Sequence, residues 1–126
     1  MPNNNLVTDL TDSILTNNPN SRLLTGLNSG NLNQVTQNVI GFALSLNMET
    51  ASITQSNNQI AFIKDYLINK IDQLSISDTK SVIVISSALS ELTTVPEQIS
   101  SKSAVKIFDI LIDLFKNNFE CFSKLN

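Results

Sequence analysis

Apolar residues recur every three or four positions through four successive segments, and this helical period constrains the fold more than any other feature of the chain. Short polar connections join the segments, and such connections place consecutive helices side by side in opposite directions. The sequence therefore predicts an all-α fold, an antiparallel bundle or array of four main helices plus a short N-terminal helix. The four apolar stripes are Leu32, Val35, Val39, Phe42, Ala43 and Leu46; Ile60, Ile63, Leu67, Ile71 and Leu74; Val82, Ile85, Ala88, Leu89 and Leu92; and Val105 or Ala104, Ile107, Phe108, Leu111, Leu114 and Phe115.

Strand and helix compete only in the third segment. The β-branched run Val82–Ile85 would suit a strand, because β-branched side chains pack well on a pleated surface. The apolar residues nevertheless keep helical spacing as far as Leu92, and polar residues fill the opposite side. Ser77 provides an N-cap, with Asp78 in the first turn. We therefore predict that this segment is a helix.

The second and fourth segments differ in how far their apolar surface extends. The second predicts a helix over about Asn57–Leu74, capped by Ser56 or Asn57. The fourth, about Lys102–Asn117, also carries Ile110 and Ile112, which extend its apolar surface around the cylinder, so we expect this helix to be central. In the second helix the polar residues that we expect mostly to face away from the stripe are Lys64, Asp65, Asn69, Lys70 and Asp72.

Several residues at or near helix boundaries carry specific predictions. Pro96 requires an extended Val95, and Ser100 or Ser101 can cap the last helix. Gly41 lies inside the first segment at a cost of about 1 kcal/mol relative to alanine. The close approach of a neighbouring helix would explain this glycine.

The Asn-rich N-terminal part interrupts helical order more often than the rest of the chain. We assign residues 1–31 to an N-terminal segment with one short helix over roughly Val7–Leu15, and residues 32–126 to a helical bundle domain. Asn18–Pro19 ends the short helix, because a residue that precedes proline is pushed out of the α region. Ser21–Leu27 adds one further turn.

Composition excludes several classes of function. The net charge of −3 and the dispersed basic residues argue against binding of nucleic acid or of an anionic membrane surface. The chain has no histidine, which removes the Ser-His and Cys-His nucleophile arrangements and the commonest metal ligand. No apolar run approaches the roughly 18 residues that span a bilayer. The single cysteine, Cys121, is either a packed thiol or the partner of a cysteine outside this chain.

The remaining polar residues that could support chemistry have simpler structural interpretations. Asp109 and Asp113 share a helix face between Lys106 and Lys116, which is typical of salt-bridge partners rather than of a metal or acid–base pair. Tyr66 is a buried phenol or an interface anchor. The serines of SSALS and SSKS lack a neighbouring base and are interpreted as caps and small packing residues. We therefore predict no enzyme, and no catalytic, cofactor-binding or metal site.

The order of phrases across residues 32–117 resembles a known family. Ser87–Thr93 (SALSELT), Pro96–Ser100 (PEQIS) and the amphipathic stretch Val105–Phe115 follow one another as in the extracellular region of polycystin-like, receptor-for-egg-jelly (REJ) proteins. The earlier stretch VTQNVIGFALSLN resembles the helix that precedes them. The resemblance implies the helical subdomain of a GAIN-type domain, a support that packs against a β-rich subdomain. The self-cleavage motif of the family needs a histidine, so no catalytic residue carries over.

Two functions from different classes follow. The resemblance implies a non-enzymatic structural or interaction module in the extracellular part of a membrane protein, with an apolar helix face that packs against an adjacent domain or another chain. The alternative is a free-standing cytoplasmic helical adaptor that binds a partner helix. In either case we expect a protein partner, no nucleic acid and no membrane contact by this segment.

Overall fold

The computed structural model describes residues 5–17, 21–48 and 57–124, and helices dominate these ranges. Val82–Ile85 lies inside a helix, and no strand occurs in the described ranges, which confirms the predicted all-α fold. The elements, in chain order, are α1 (Asn5–Thr16), α2 (Arg22–Thr25), α3 (Leu32–Met48), α4 (Asn57–Asp72), α5 (Thr79–Leu92), a 3-10 turn (Pro96–Gln98) and α6 (Ser101–Lys124).

Helix α4 occupies the centre of the array. It packs against α1, α3, α5, α6 and the 3-10 turn, so that side chains around much of its surface are covered. Helix α6 packs chiefly against α4 and α5 and lies at the periphery. The expectation that the last helix is central was therefore wrong, because a wide apolar surface does not by itself show that other helices surround it. The buried residues of α4 are Ile60, Ile63, Lys64, Leu67, Ile68 and Ile71.

Helices α1 and α2 extend the same hydrophobic core. Val7 and Leu10 of α1 and Leu24 of α2 are fully or almost fully buried, and α1 packs directly on α4. The described part of residues 1–31 is therefore docked on the bundle. Three predicted features lie outside the described residues: the helix stop at Asn18–Pro19, the alternative cap Ser56 and the side-chain environment of Cys121.

The connections around α5 follow the expected chemistry with one shift. The N-cap of α5 is Asp78 rather than Ser77, since the Asp78 carboxylate accepts a hydrogen bond from the Ser81 backbone N–H at 2.8 Å. The Ser81 hydroxyl oxygen accepts in return from the Asp78 backbone N–H, which completes a capping box. Val95 is extended, as Pro96 requires. Ser100 caps α6 by accepting from the Ser103 backbone N–H at 3.0 Å.

Gly41 faces open space. Within the part of the chain that the structure describes, no atom lies within 4 Å of a methyl group added at this position, so no described helix approaches it closely and the packing explanation for this glycine was wrong. The close approach is instead at Gly26, where a Cβ would collide with the side chain of Asn38 in α3.

Removal of the α5 cap tests its assignment. We expect Asp78→Ala to lower the free energy of unfolding by about 1 kcal/mol, because the Ser81 N–H loses its acceptor. Ser77→Ala is the matched control and should have little effect, since Ser77 contributes only its backbone N–H to the Ser81 hydroxyl oxygen. Urea denaturation measures both variants, and a larger loss from Ser77→Ala would contradict the assignment.

The open position at Gly41 predicts a stabilising substitution. Gly41→Ala should raise the free energy of unfolding by about 0.5–1 kcal/mol, since alanine has the higher helix propensity and meets no obstacle. Gly30→Ala is the contrasting variant and should be destabilising, because Gly30 has a φ of +75°. Thermal and urea denaturation would distinguish the two variants, and destabilisation by Gly41→Ala would show that something packs there.

Candidate interaction surface on helix α6

Helix α6 carries two separate apolar faces. The inner face consists of Ile107, Ile110 and Leu114, which are at most 8% exposed and pack on the bundle. Their spacing of three and four residues is that of an ordinary core stripe. Ser103 is also buried on this side, one turn before Ile107. The inner face therefore supplies the apolar contacts that dock α6 on the bundle.

The outer face of α6 is exposed and apolar. Its two phenylalanines have 65% and 73% of their surface accessible, and its aliphatic members 40% to 65%. At about 100° per residue these positions fall within a wedge of about 120° on the helix, so they form one continuous strip. The five residues of the outer face are Val105, Phe108, Leu111, Ile112 and Phe115.

The size of this strip distinguishes it from scattered exposed residues. Taking about 200 Å² for a phenylalanine, the two aromatic side chains alone expose roughly 300 Å². Contiguous apolar patches on monomeric proteins rarely exceed about 300–600 Å², and patches of that size often mark binding sites. The other large hydrophobic residues exposed in the described part of the chain are distributed over α1, α3, α4 and α5. They are Leu15, Leu44, Met48, Phe62 and Ile83.

The polar edge of α6 holds the two aspartates that the sequence singled out. Asp109 and Asp113 are both exposed. Lys106 pairs with Asp72 of α4, with a distance of 3.4 Å between Nζ and Oδ2, and so joins α6 to the central helix. No group of three or more acidic or cysteine side chains that could hold a metal ion occurs among the described residues.

A second hydrogen-bonded contact fixes the start of α6. The hydroxyls of Ser100 and Ser103 both donate to Oδ1 of Asp65 on α4, the former at 2.8 Å. Two serines of SSKS therefore act as a cap and an anchor, in line with their structural interpretation. Sequence reasoning missed Asp65, which it placed among the residues that face away. No local sequence signal distinguishes Asp65 from the other polar residues of α4, because its partners Ser100 and Ser103 lie more than thirty residues away along the chain.

Lys64 is the main departure from the sequence expectation on α4. It was expected to face away, yet its side chain is fully buried. Nζ donates to Oδ1 of Asn47 on α3 at 2.7 Å. Nδ2 of Asn47 in turn donates to the backbone oxygen and to Oε2 of Glu91 on α5, at 2.9 and 2.8 Å. This lysine–asparagine–glutamate chain links α4, α3 and α5.

Burial changes the protonation of Lys64. Loss of hydration lowers the pKa of its amine from 10.5 to about 8, and the negative charge of Glu91 opposes this shift. An amine with such a pKa would be a good nucleophile in its neutral form, but Lys64 has no surface open to a substrate. The geometry therefore supports a structural role, in which the lysine holds three helices together.

The other residues that the sequence singled out lie apart from the outer face. Tyr66 is half-buried, and Nζ of Lys70 lies 5.1 Å from the centre of its ring, which is a cation–π geometry. Ser87 of SSALS donates to the backbone oxygen of Ile83 within α5. The structure brings none of these groups together with Asp109 and Asp113.

Comparisons with known proteins do not add a relative. No protein-family model, curated protein or solved structure matches the chain. Among the described residues, no helix has the length and apolar character needed to cross a bilayer. The interpretation of the site therefore depends on its own geometry.

The pKa of Lys64 predicts a pH-dependent stability. Between about pH 8 and 10.5 the unfolded chain holds a proton on this amine that the folded chain has lost. The free energy of unfolding therefore rises with pH in this window, by up to about 1.4 kcal/mol per pH unit from this group. Relative to Lys64→Met, the wild type should gain about 2–3 kcal/mol between pH 7.5 and 10.5.

Urea denaturation across that pH range makes the measurement. The comparison with Lys64→Met cancels every other pH-dependent contribution that the two chains share. Parallel pH profiles for the two proteins would show that the amine of Lys64 titrates normally and that its burial is wrong.

Proposed function

We propose that this chain is a non-enzymatic interaction module that uses the outer face of α6 to pack against another polypeptide. The observation that carries the proposal is the continuous exposure of Val105, Phe108, Leu111, Ile112 and Phe115 on a helix whose opposite side is already buried. Surface helices ordinarily present polar residues to water, so an apolar strip of this size favours a partner.

The energetics support the use of this face for binding rather than folding. Each large apolar side chain contributes about 1.5–3 kcal/mol when it moves from water into a packed environment. The bundle gains little from the most exposed residues of the outer face, Val105, Phe108 and Phe115, because Ile107, Ile110 and Leu114 supply the main apolar contacts to α6. That free energy remains for association.

The attachment of α6 supports a preformed surface. The hydrogen bonds from Ser100 and Ser103 to Asp65 fix the first turn, and the Lys106–Asp72 ion pair lies on the next turn. A helix held along its inner side presents the outer residues in a fixed arrangement. A binding surface that is ordered before association loses less conformational entropy when it binds.

The shape of the surface bears on the class of partner. The strip is a single helical ridge with residues at three- and four-residue spacing, which suits packing against another helix. The resemblance to REJ and GAIN-type helical subdomains suggests a different occupant, an adjacent β-rich domain, and an exposed apolar face agrees with that proposal too. A free-standing adaptor with a helical partner is the alternative that the ridge favours.

Substitution of the outer phenylalanines tests the proposal. Phe108→Ser with Phe115→Ser should leave the free energy of unfolding within about 0.5–1 kcal/mol of wild type, because both positions are exposed and the helix propensities are similar. Binding of a fluorescent dye for apolar surfaces should fall strongly in the same variant. Calorimetry and dye titration of the isolated chain, at high dilution, measure the two effects.

Two controls make the result specific. Ile83→Ser replaces an apolar residue on α5 that is 59% exposed and should leave dye binding nearly unchanged. Leu114→Ala, on the inner face of the same helix, should cost about 2–5 kcal/mol of stability. If the double serine variant destabilised the fold as much as Leu114→Ala, the outer face would belong to the core and the proposal would fail.

A further inference from the structure

We propose that the partner of the outer face is a second copy of this chain, and that two α6 helices pair in antiparallel orientation around a two-fold axis. This inference rests on the proposed function and names its occupant. Three observations carry it: the spacing of the outer residues, the placement of the bundle relative to them, and the charges on one edge of the strip.

The spacing of the outer residues is that of a two-helix seam. Val105, Phe108, Ile112 and Phe115 follow one another by steps of three, four and three residues, the repeat that keeps a stripe facing a partner helix along its length. In the sequence the same steps continue to positions 119 and 122, which are both phenylalanine. Helix α6 extends to Lys124, so the helical backbone continues through both positions.

The placement of the bundle leaves room for a second copy. At about 100° per residue, the centre of the seam and the centre of the inner face lie about 150° apart around α6. The rest of each molecule therefore lies behind its own helix, directed away from the partner. This arrangement places the two bundles on opposite sides of the contact between the α6 helices.

The charges on the seam edge select the register. Asp109 directly follows Phe108 and Lys116 directly follows Phe115, so both lie on the same edge of the strip. In an antiparallel pair, residues of the same edge meet across the interface. When Ile112 of one copy opposes Phe115 of the other, Asp109 of one copy lies beside Lys116 of the other. The two-fold axis repeats this pair, which gives two opposite-charge contacts.

Neighbouring registers lose these contacts. A shift of seven residues in one direction places Lys102 of one chain beside Lys116 of the other, and Asp109 beside Asp109 of the other chain. A shift of seven residues in the other direction places Lys116 of one chain beside Lys116 of the other. A parallel pair would set Leu111 beside Lys116 and gain no opposite-charge contact. Like charges across an interface disfavour a pairing, so one antiparallel register is selected.

The area available is sufficient for a specific contact. With about 200 Å² for a phenylalanine and somewhat less for each aliphatic side chain, the outer face presents on the order of 500 Å² in each copy. A symmetric pair then removes about 1,000 Å² of apolar surface from water, which is near the lower limit for specific interfaces. The expected dimer is therefore reversible and dependent on concentration.

Charge reversal with light scattering tests the pairing. The full chain is measured with a reducing agent over a range of concentrations, as wild type and as Asp109→Lys, Lys116→Asp and the variant with both changes. The wild type should form a dimer. Each single change creates two like-charge contacts and should weaken the dimer about tenfold, and the double change should restore it to within about threefold.

Asp113→Lys is the matched control. It reverses the same charge on the same helix, but position 113 lies about 60° farther from the centre of the seam than position 116 and about 40° farther than position 109, so the dissociation constant should change less than threefold. The inference is overturned if Asp113→Lys weakens the dimer as much as Asp109→Lys, or if the double change does not restore it.

The same experiment separates this inference from the proposed function. A monomer at every concentration that still binds the apolar dye through Phe108 and Phe115 would overturn self-pairing and leave the outer face as a surface for a different polypeptide. A monomer that binds no dye would contradict both proposals.

Discussion

The packing of α4 at the centre of the array is the constraint on which the rest of the structure depends. Four helices and the 3-10 turn surround it. The side chains of α4 that they bury include the amine of Lys64. A buried ammonium group is costly unless it is hydrogen-bonded, so its position requires Asn47 and Glu91 at fixed places on α3 and α5. The central helix thus determines the alignment of its neighbours.

Helix α6 follows from the same arrangement. Because α6 packs against α4 and α5, only one side of α6 is covered. Two aspartates of α4 fix the first two turns of α6. Asp65 accepts hydrogen bonds from Ser100 and Ser103, and Asp72 pairs with Lys106. The opposite side then extends into solvent with five large apolar residues. The candidate binding surface is therefore a consequence of the core, since the residues that hold α6 also orient its outer face.

Much of the fold could be predicted from local chemistry. The helical period correctly predicted a helix rather than a strand at Val82–Ile85. Pro96 correctly predicted the extended Val95 before the 3-10 turn, and Ser100 correctly predicted the start of α6. Which helix faces are covered by other helices was harder to predict, because periodicity shows which residues share a face but does not show what packs against that face. For this reason the wide apolar surface of α6 was interpreted as a sign of centrality. Lys64 was assigned to the exposed side, although it lies four residues after Ile60 and four before Ile68, on the buried face of α4.

Carbene footprinting of the native chain with mass spectrometry, at high dilution and at high concentration, tests the central claim most directly. The account predicts that the core face of α4, at Ile63 and Leu67, is protected at both concentrations. It predicts strong labelling of Phe108 and Phe115 at high dilution, and protection of both as the concentration rises. Equal protection of α4 and of the outer face of α6 at every dilution would contradict the account, because that face would then lie inside the core of the monomer.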